Sequence, residues 1–228
     1  MNTFIEKLYD NFIKEDRYMY LVRGLGTTLT ITFFAALIGI ALGFVIAIIR
    51  STYAKTGRLK VLNALCNIYL TIIRGTPVVV QLMIMYYVVF VALNNKVFVA
   101  VIAFGINSGA YVAEIVRSGI MSIDKGQTEA GRSLGFSYSQ TMWYVIMPQA
   151  FKNVLPALAN EFIVLLKETS VCGYIGLMDL TRGGDYIRSR TYEAFLPLIA
   201  VALIYLVIVL ILTALVSKLE RRLRTNER

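Results

Sequence analysis

Residues 129–148 read EAGRSLGFSYSQTMWYVIMP, the longest polar, cap-rich stretch in a chain of 228 residues that is 57% hydrophobic. Local chemistry predicts two short helices joined by a tight turn. Asp124 caps a first helix running through Leu134, Gly135 supplies the left-handed residue that ends it, and Phe136 is placed for the hydrophobic contact that accompanies such a stop. Ser137 opens a second helix with Gln140 three residues later, the spacing of a capping box. Pro148 has no amide hydrogen, so the second helix is expected to stop or kink there. A polar hairpin between apolar runs does not serve packing into lipid. Its natural use is docking to a partner.

The flanking sequence reads as membrane. Residues 24–49 carry no charge and exceed the roughly 20 residues that cross a bilayer. Arg50, Lys55, Arg58 and Lys60 follow as a basic cluster that marks a cytoplasmic loop, so the amino terminus is expected outside. Residues 60–93 are too long for one ordinary span. Lys60, Asn63, Asn67, Thr71 and Arg74 draw a polar stripe down one helix face until Gly75, Thr76 and Pro77 interrupt it. Either an interfacial helix precedes a span at 77–93, or one long helix is broken near 74–77. Residues 97–117 form the next span, with Asn107, Ser108, Gly109 and Tyr111 near its middle. Small polar residues there allow close helix approach or line a pathway. Glu114 and Arg117, three apart, are spaced to pair as an anchor.

Beyond the hairpin, residues 149–167 cross again, with Asn160 and Glu161 in their interior. A carboxylate near the bilayer centre costs roughly 2.5 to 3.5 kcal/mol on insertion scales and calls for a partner. Residues 167–193 are polar, rich in glycine and balanced in charge, which suits an outer loop that docks a soluble partner. Residues 194–217 form the last span, and Lys218, Arg221, Arg222, Arg224 and Arg228 make a basic tail. The expected fold is all-α and polytopic: a single transmembrane domain over 1–228 with about five spans, amino terminus outside, carboxyl terminus inside, and a cytoplasmic hairpin at 124–148. The polar residues ahead of the first span argue against a cleavable signal peptide.

The net charge of +9 and the helix-turn-helix appearance of the hairpin invite a nucleic-acid reading. The surplus sits in the segments assigned inside, as the positive-inside rule requires, so nucleic acid is not needed. Histidine is absent and the two cysteines stand far apart, leaving neither a metal site nor a catalytic triad. No phosphate loop occurs, so the chain is not expected to hydrolyse ATP itself. Catalytic residues are therefore none. The candidates line a path: Glu161 and Asn160, Arg74, Thr76, Asn107 and Tyr111. Glu161 suits a cationic group such as the ammonium of an amino acid. Its structural alternatives are a pair with Arg74 or Lys167 or a protonated carboxyl, and Arg74 could equally meet a substrate carboxylate.

Glu129, Ala130 and Gly131, three residues, Gly135, nine residues, then Val145, one residue, Met147 and Pro148 resembles the EAA loop of ABC-importer permease subunits. That family's pattern has Ala, Ile and Leu where Gly131, Val145 and Met147 stand, with the spacing kept. Gly131 weakens its helix by roughly 1 kcal/mol relative to Ala. The stretches GTTLT at 26–30, RGTP at 74–77, NEFI at 160–163 and KETS at 167–170 look like the polar amino-acid branch. The resemblance implies a type I importer permease whose loop couples to cytoplasmic ATPase subunits through Glu129, Ala130, Gly131, Gly135 and Pro148. It further implies a second permease subunit, identical or paralogous, and an extracytoplasmic substrate-binding protein. ATP and Mg would be bound on the ATPase partner and no cofactor on this chain. Residues alone leave two rivals, an ion-gradient-driven carrier and a membrane scaffold without a path. Uptake by the purified chain without ATP would favour the first.

Overall fold

A computed structural model describes residues 3–225, and Arg228 of the expected basic tail lies outside them. Among the described residues every regular element is helical. Helix α1 (Phe4–Leu8) runs through a π-helical turn, Tyr9–Ile13, toward α2 (Tyr18–Thr56). At 39 residues, α2 is longer than the charge-free run inside it, because nothing in its flanks breaks a helix. It stops at Gly57, whose positive φ of 69° lets its amide reach the Tyr53 carbonyl at 2.9 Å.

The ambiguous stretch after α2 resolves into two helices, α3 (Lys60–Gly75) and α4 (Val78–Ile84), the second extended by a π turn over Met85–Val89. Their axes are bent by 108° at Thr76-Pro77. Pro77 cannot donate to the Ile73 carbonyl, the bond a continuous helix would need. Cys66 and Leu70 of α3 pack inward, while most of the polar stripe is exposed.

Helix α5 (Lys96–Met121) is the centre of the bundle, with its middle almost wholly buried. It meets α2 through two reciprocal small-residue pairs. A Cβ added at Gly39 or Gly43 would fall within 3.0 Å of Ser108 or Val112, and one at Gly105 or Gly109 within 3.0 Å of Ile38 or Leu42. Lipid offers no hydrophobic drive between helices, so van der Waals contact at this short separation holds the pair together.

The hairpin comprises α6 (Lys125–Ser133) and α7 (Tyr138–Thr141). A π turn at Met142–Ile146 then leads directly into α8 (Met147–Glu168). Pro148 therefore does not stop the helix. It sits in the first turn of α8, and the wider π turn before it absorbs the missing donor.

The segment after α8 also differs from a solvated loop. A 3₁₀ stretch, Thr169–Ile175, leads to α9 (Leu180–Thr191), whose Leu180 and Ile187 are buried with Leu21 and Val201. Its Gly183 and Gly184 are contact points: a Cβ at Gly183 would lie 2.6 Å from the Tyr20 carbonyl, and one at Gly184 2.4 Å from Val201. The last helix is α10 (Phe195–Thr225). Helices α2, α5 and α10 are long and apolar enough to cross a membrane, and the bent α3–α4 pair adds a fourth if it counts as one span. Helix α8 has 22 residues but is diluted by Lys152, Asn160, Glu161 and Lys167.

Candidate coupling surface and membrane path

The hairpin is built by its caps. The Asp124 carboxylate accepts from the Gly126 amide at 2.7 Å. At the other end of α6 the Phe136 amide reaches the Gly131 carbonyl at 3.0 Å and the Gly135 amide reaches Arg132 at 2.9 Å, the two bonds of a Schellman stop. Gly135 takes φ of 81° there. The capping box of α7 is complete, with the Ser137 amide donating to Gln140 at 2.8 Å and the Gln140 amide to the Ser137 hydroxyl at 3.3 Å. Burial pushes the Tyr138 phenol up from its ordinary range.

Glu129 and Ala130 are exposed, Gly131 is buried against α7, Gly135 forms the open tip and Pro148 begins α8. Three large apolar side chains stay in the open nearby: Leu134 is 75% exposed, Trp143 61% and Tyr144 74%. The base is fixed instead. Ile146, Ala150 and Val154 pack on Val112, Val116 and Ile120 of α5, and Asn153 donates to Ser122 at 3.2 Å. Exposed apolar side chains beside a packed base have the form of a docking surface.

The second cluster gathers on α5. Asn107, 2% exposed, donates to the Gln81 side-chain oxygen at 3.0 Å. The Gln81 amide nitrogen is shared among the Ile73 carbonyl at 2.7 Å, the Thr76 carbonyl at 3.1 Å and the Thr76 hydroxyl at 2.8 Å. Gln81 thus supplies the donor that Pro77 cannot give, and Thr76 caps Ile72 at 2.8 Å. The Asn107 Oδ1 is buried and without a hydrogen-bond partner. One residue on, the Ser108 hydroxyl donates to Glu161 of α8 at 3.0 Å. Glu161 is thus held by a hydroxyl, not by Arg74 or Lys167. Arg74 is exposed, with its guanidinium 5.7 Å from the centroid of the Tyr111 ring. Asn160 is exposed beside Glu161.

So the structure links Thr76 to Asn107 through Gln81, sets Arg74 over Tyr111, and joins Glu161 to α5 through Ser108. Neither Gln81 nor Ser108 announces its contact in sequence, because each partner lies on another helix. A third polar contact closes one end: Glu114 accepts from Arg117 at 3.1 and 3.0 Å and also pairs with Arg50 of α2. Among the described residues no three His, Cys, Asp or Glu side chains gather as metal ligands.

Residues 39–225 match the family of binding-protein-dependent transport system inner membrane components. The chain belongs to this family. The arginine transport system permease protein ArtQ of Bacillus subtilis (strain 168) is 40% identical over 211 residues, covering 91% of this chain and 94% of the relative. The glutamine transport system permease protein GlnP of Escherichia coli (strain K12) is 39% identical over 197 residues, covering 85% and 90%. A solved amino acid ABC transporter, crystallised with histidines, has a chain 44% identical with a TM-score of 0.84, covering 92% of this chain and 98% of that one. The inward-facing MetNI methionine ABC transporter, 21% identical with a TM-score of 0.78, shares the fold. The fold is that of ABC-transporter permease subunits, and the chain is an inner membrane protein.

Proposed function

We propose that this chain is the permease subunit of an ATP-driven importer for a polar or basic amino acid, with Glu161 in the path and residues 124–148 as the coupling hairpin. The observation that carries the reading is the helical continuity from α7 through the π turn into α8. Thr141 and Glu161 lie 20 residues apart on that rod, about 30 Å at 1.5 Å per residue. A displacement at the exposed hairpin is carried along the rod to the polar cluster on α5. The names and identities of the relatives support an amino-acid substrate.

In this mechanism the hairpin, with Glu129, Ala130, Gly131, Gly135 and Pro148, sits on a separate ATPase subunit that binds ATP and Mg. Two permease subunits, identical or paralogous, enclose one path, and an extracytoplasmic binding protein delivers substrate to it. Ligands on the two sides bias one pair of states, which is alternating access. Five spans, with the amino terminus outside, place the hairpin and the Arg50–Glu114–Arg117 group on the ATPase side. Glu161 and the buried, unpartnered Asn107 oxygen are acceptors for an ammonium or guanidinium group, while Thr76, Asn160, Arg74 and Tyr111 border them.

Uptake by the reconstituted complex tests the path. Glu161→Gln keeps the acceptor for Ser108 and removes the charge, so uptake of arginine is expected to fall about tenfold while that of glutamine falls less. Equal uptake of both, at wild-type rates, would return Glu161 to a structural role.

A further inference from the structure

We infer that Gly131 and Thr141 form the pivot through which the two arms of the hairpin move as one body. This rests on the coupling role proposed above and assigns it a contact point. Gly131 is the one buried residue of α6, a helix otherwise turned toward solvent. A Cβ on it would lie 2.6 Å from Thr141 Cγ2 and 2.9 Å from Thr141 Oγ1. The threonine side chain therefore occupies the space that an alanine at 131 would claim.

Both partners of the contact are pinned. Thr141 is 1% exposed, and its hydroxyl donates to the Ser137 carbonyl at 3.1 Å, so it cannot swing away without losing that bond. The Gly131 carbonyl already accepts the Phe136 amide in the turn that ends α6. Thr141 also belongs to the first turns of the rod that becomes α8. A push on α6 meets the rod at its base, where a small rotation is amplified along its length. The departure of Gly131 from the alanine of the EAA pattern is thus matched by Thr141 across the hairpin.

An alanine at 131 has to move α6 off α7 by about 1 Å to restore ordinary carbon contact. Removing the threonine side chain gives that space back. The test uses the complete complex with its ATPase and binding protein in lipid nanodiscs, bearing spin labels at the exposed Lys125 and Ser139. Gly131→Ala is expected to widen the label separation and to cut binding-protein-stimulated ATP hydrolysis by about fivefold or more, with the ATPase still bound. The double variant Gly131→Ala, Thr141→Ala is expected to recover both readouts to within about twofold of wild type, the non-additivity expected of residues in contact.

An unchanged separation in Gly131→Ala, or a double variant no better than the single, overturns the pivot. If the single variant does not assemble, recovery of assembly in the double supports the pivot and continued failure overturns it. If the separations follow the expected pattern while hydrolysis is unchanged in every variant, the contact stands and the coupling role of the hairpin falls.

Discussion

Two polar, glycine-bearing segments interrupt the apolar chain, at 124–148 and 168–193, and they fold to opposite ends. The second is drawn into the bundle: Asp179 is 0% exposed, Leu180 and Ile187 are buried, and Gly183 lies against the backbone of α2. The first stays outside, with Leu134, Trp143 and Tyr144 uncovered and nothing within 4 Å of the place a Cβ would take at Gly135. Glycine serves close contact at Gly183 and turn geometry at Gly135. One segment is part of what holds the bundle together, and the other is free to meet a partner.

The contrast can be broken most forcefully at Gly183. Leucine there meets a backbone carbonyl that cannot yield, so overpacking is expected to cost roughly 1 to 3 kcal/mol or more. Thermal unfolding of the detergent-solubilised chain should drop by several degrees. An unchanged midpoint would show that α9 is only loosely docked.

A smaller effect is expected at Asp179, which caps α9 by accepting from the Thr181 and Arg182 amides, both at 3.1 Å. Burial outweighs these bonds and holds the carboxyl above its ordinary range. The folded state then binds the proton more tightly than the unfolded one. The stability Asp179 contributes is full below the ordinary carboxylate pKa and is lost as pH rises through the raised value. Asp179→Asn keeps a cap and removes the titration, so the variant's unfolding midpoint should be flatter with pH and gain on wild type toward neutrality. Parallel pH profiles for the two proteins would refute this.

The smallest change in stability is expected in the hairpin. Leu134→Ala removes an exposed side chain, so the unfolding midpoint should stay within the equivalent of about 0.5 kcal/mol. Capture of the ATPase subunit, followed by co-purification, should weaken several-fold. A fall in stability without loss of capture would reverse the roles assigned to the two segments.

What could be read from sequence follows the range of the interactions. Asp124, Gly135 and the Ser137–Gln140 box are local, each acting on backbone two to five residues away, and they stand where that chemistry requires. The break at Thr76-Pro77 was legible for the same reason, though its angle was not. Pro148 does not end its helix, because the π turn at 142–146 takes up its missing donor, and nothing in the sequence marks that turn. The burial of α9 was hidden because Gly183 and Gly184 matter only through what faces them. Glu161 was visible as an unusual carboxylate, but its partner Ser108 lies 53 residues away on another helix, and Gln81 was invisible until the donor missing at Pro77 was located in space.

One consequence of the hairpin's exposure is optical. Trp143 is the chain's single tryptophan and stands in the open at the hairpin's second arm. Its indole therefore reports on one place only: whatever covers that surface dries the ring and shifts its emission to the blue. The chain carries a built-in, label-free gauge of when its hairpin is occupied.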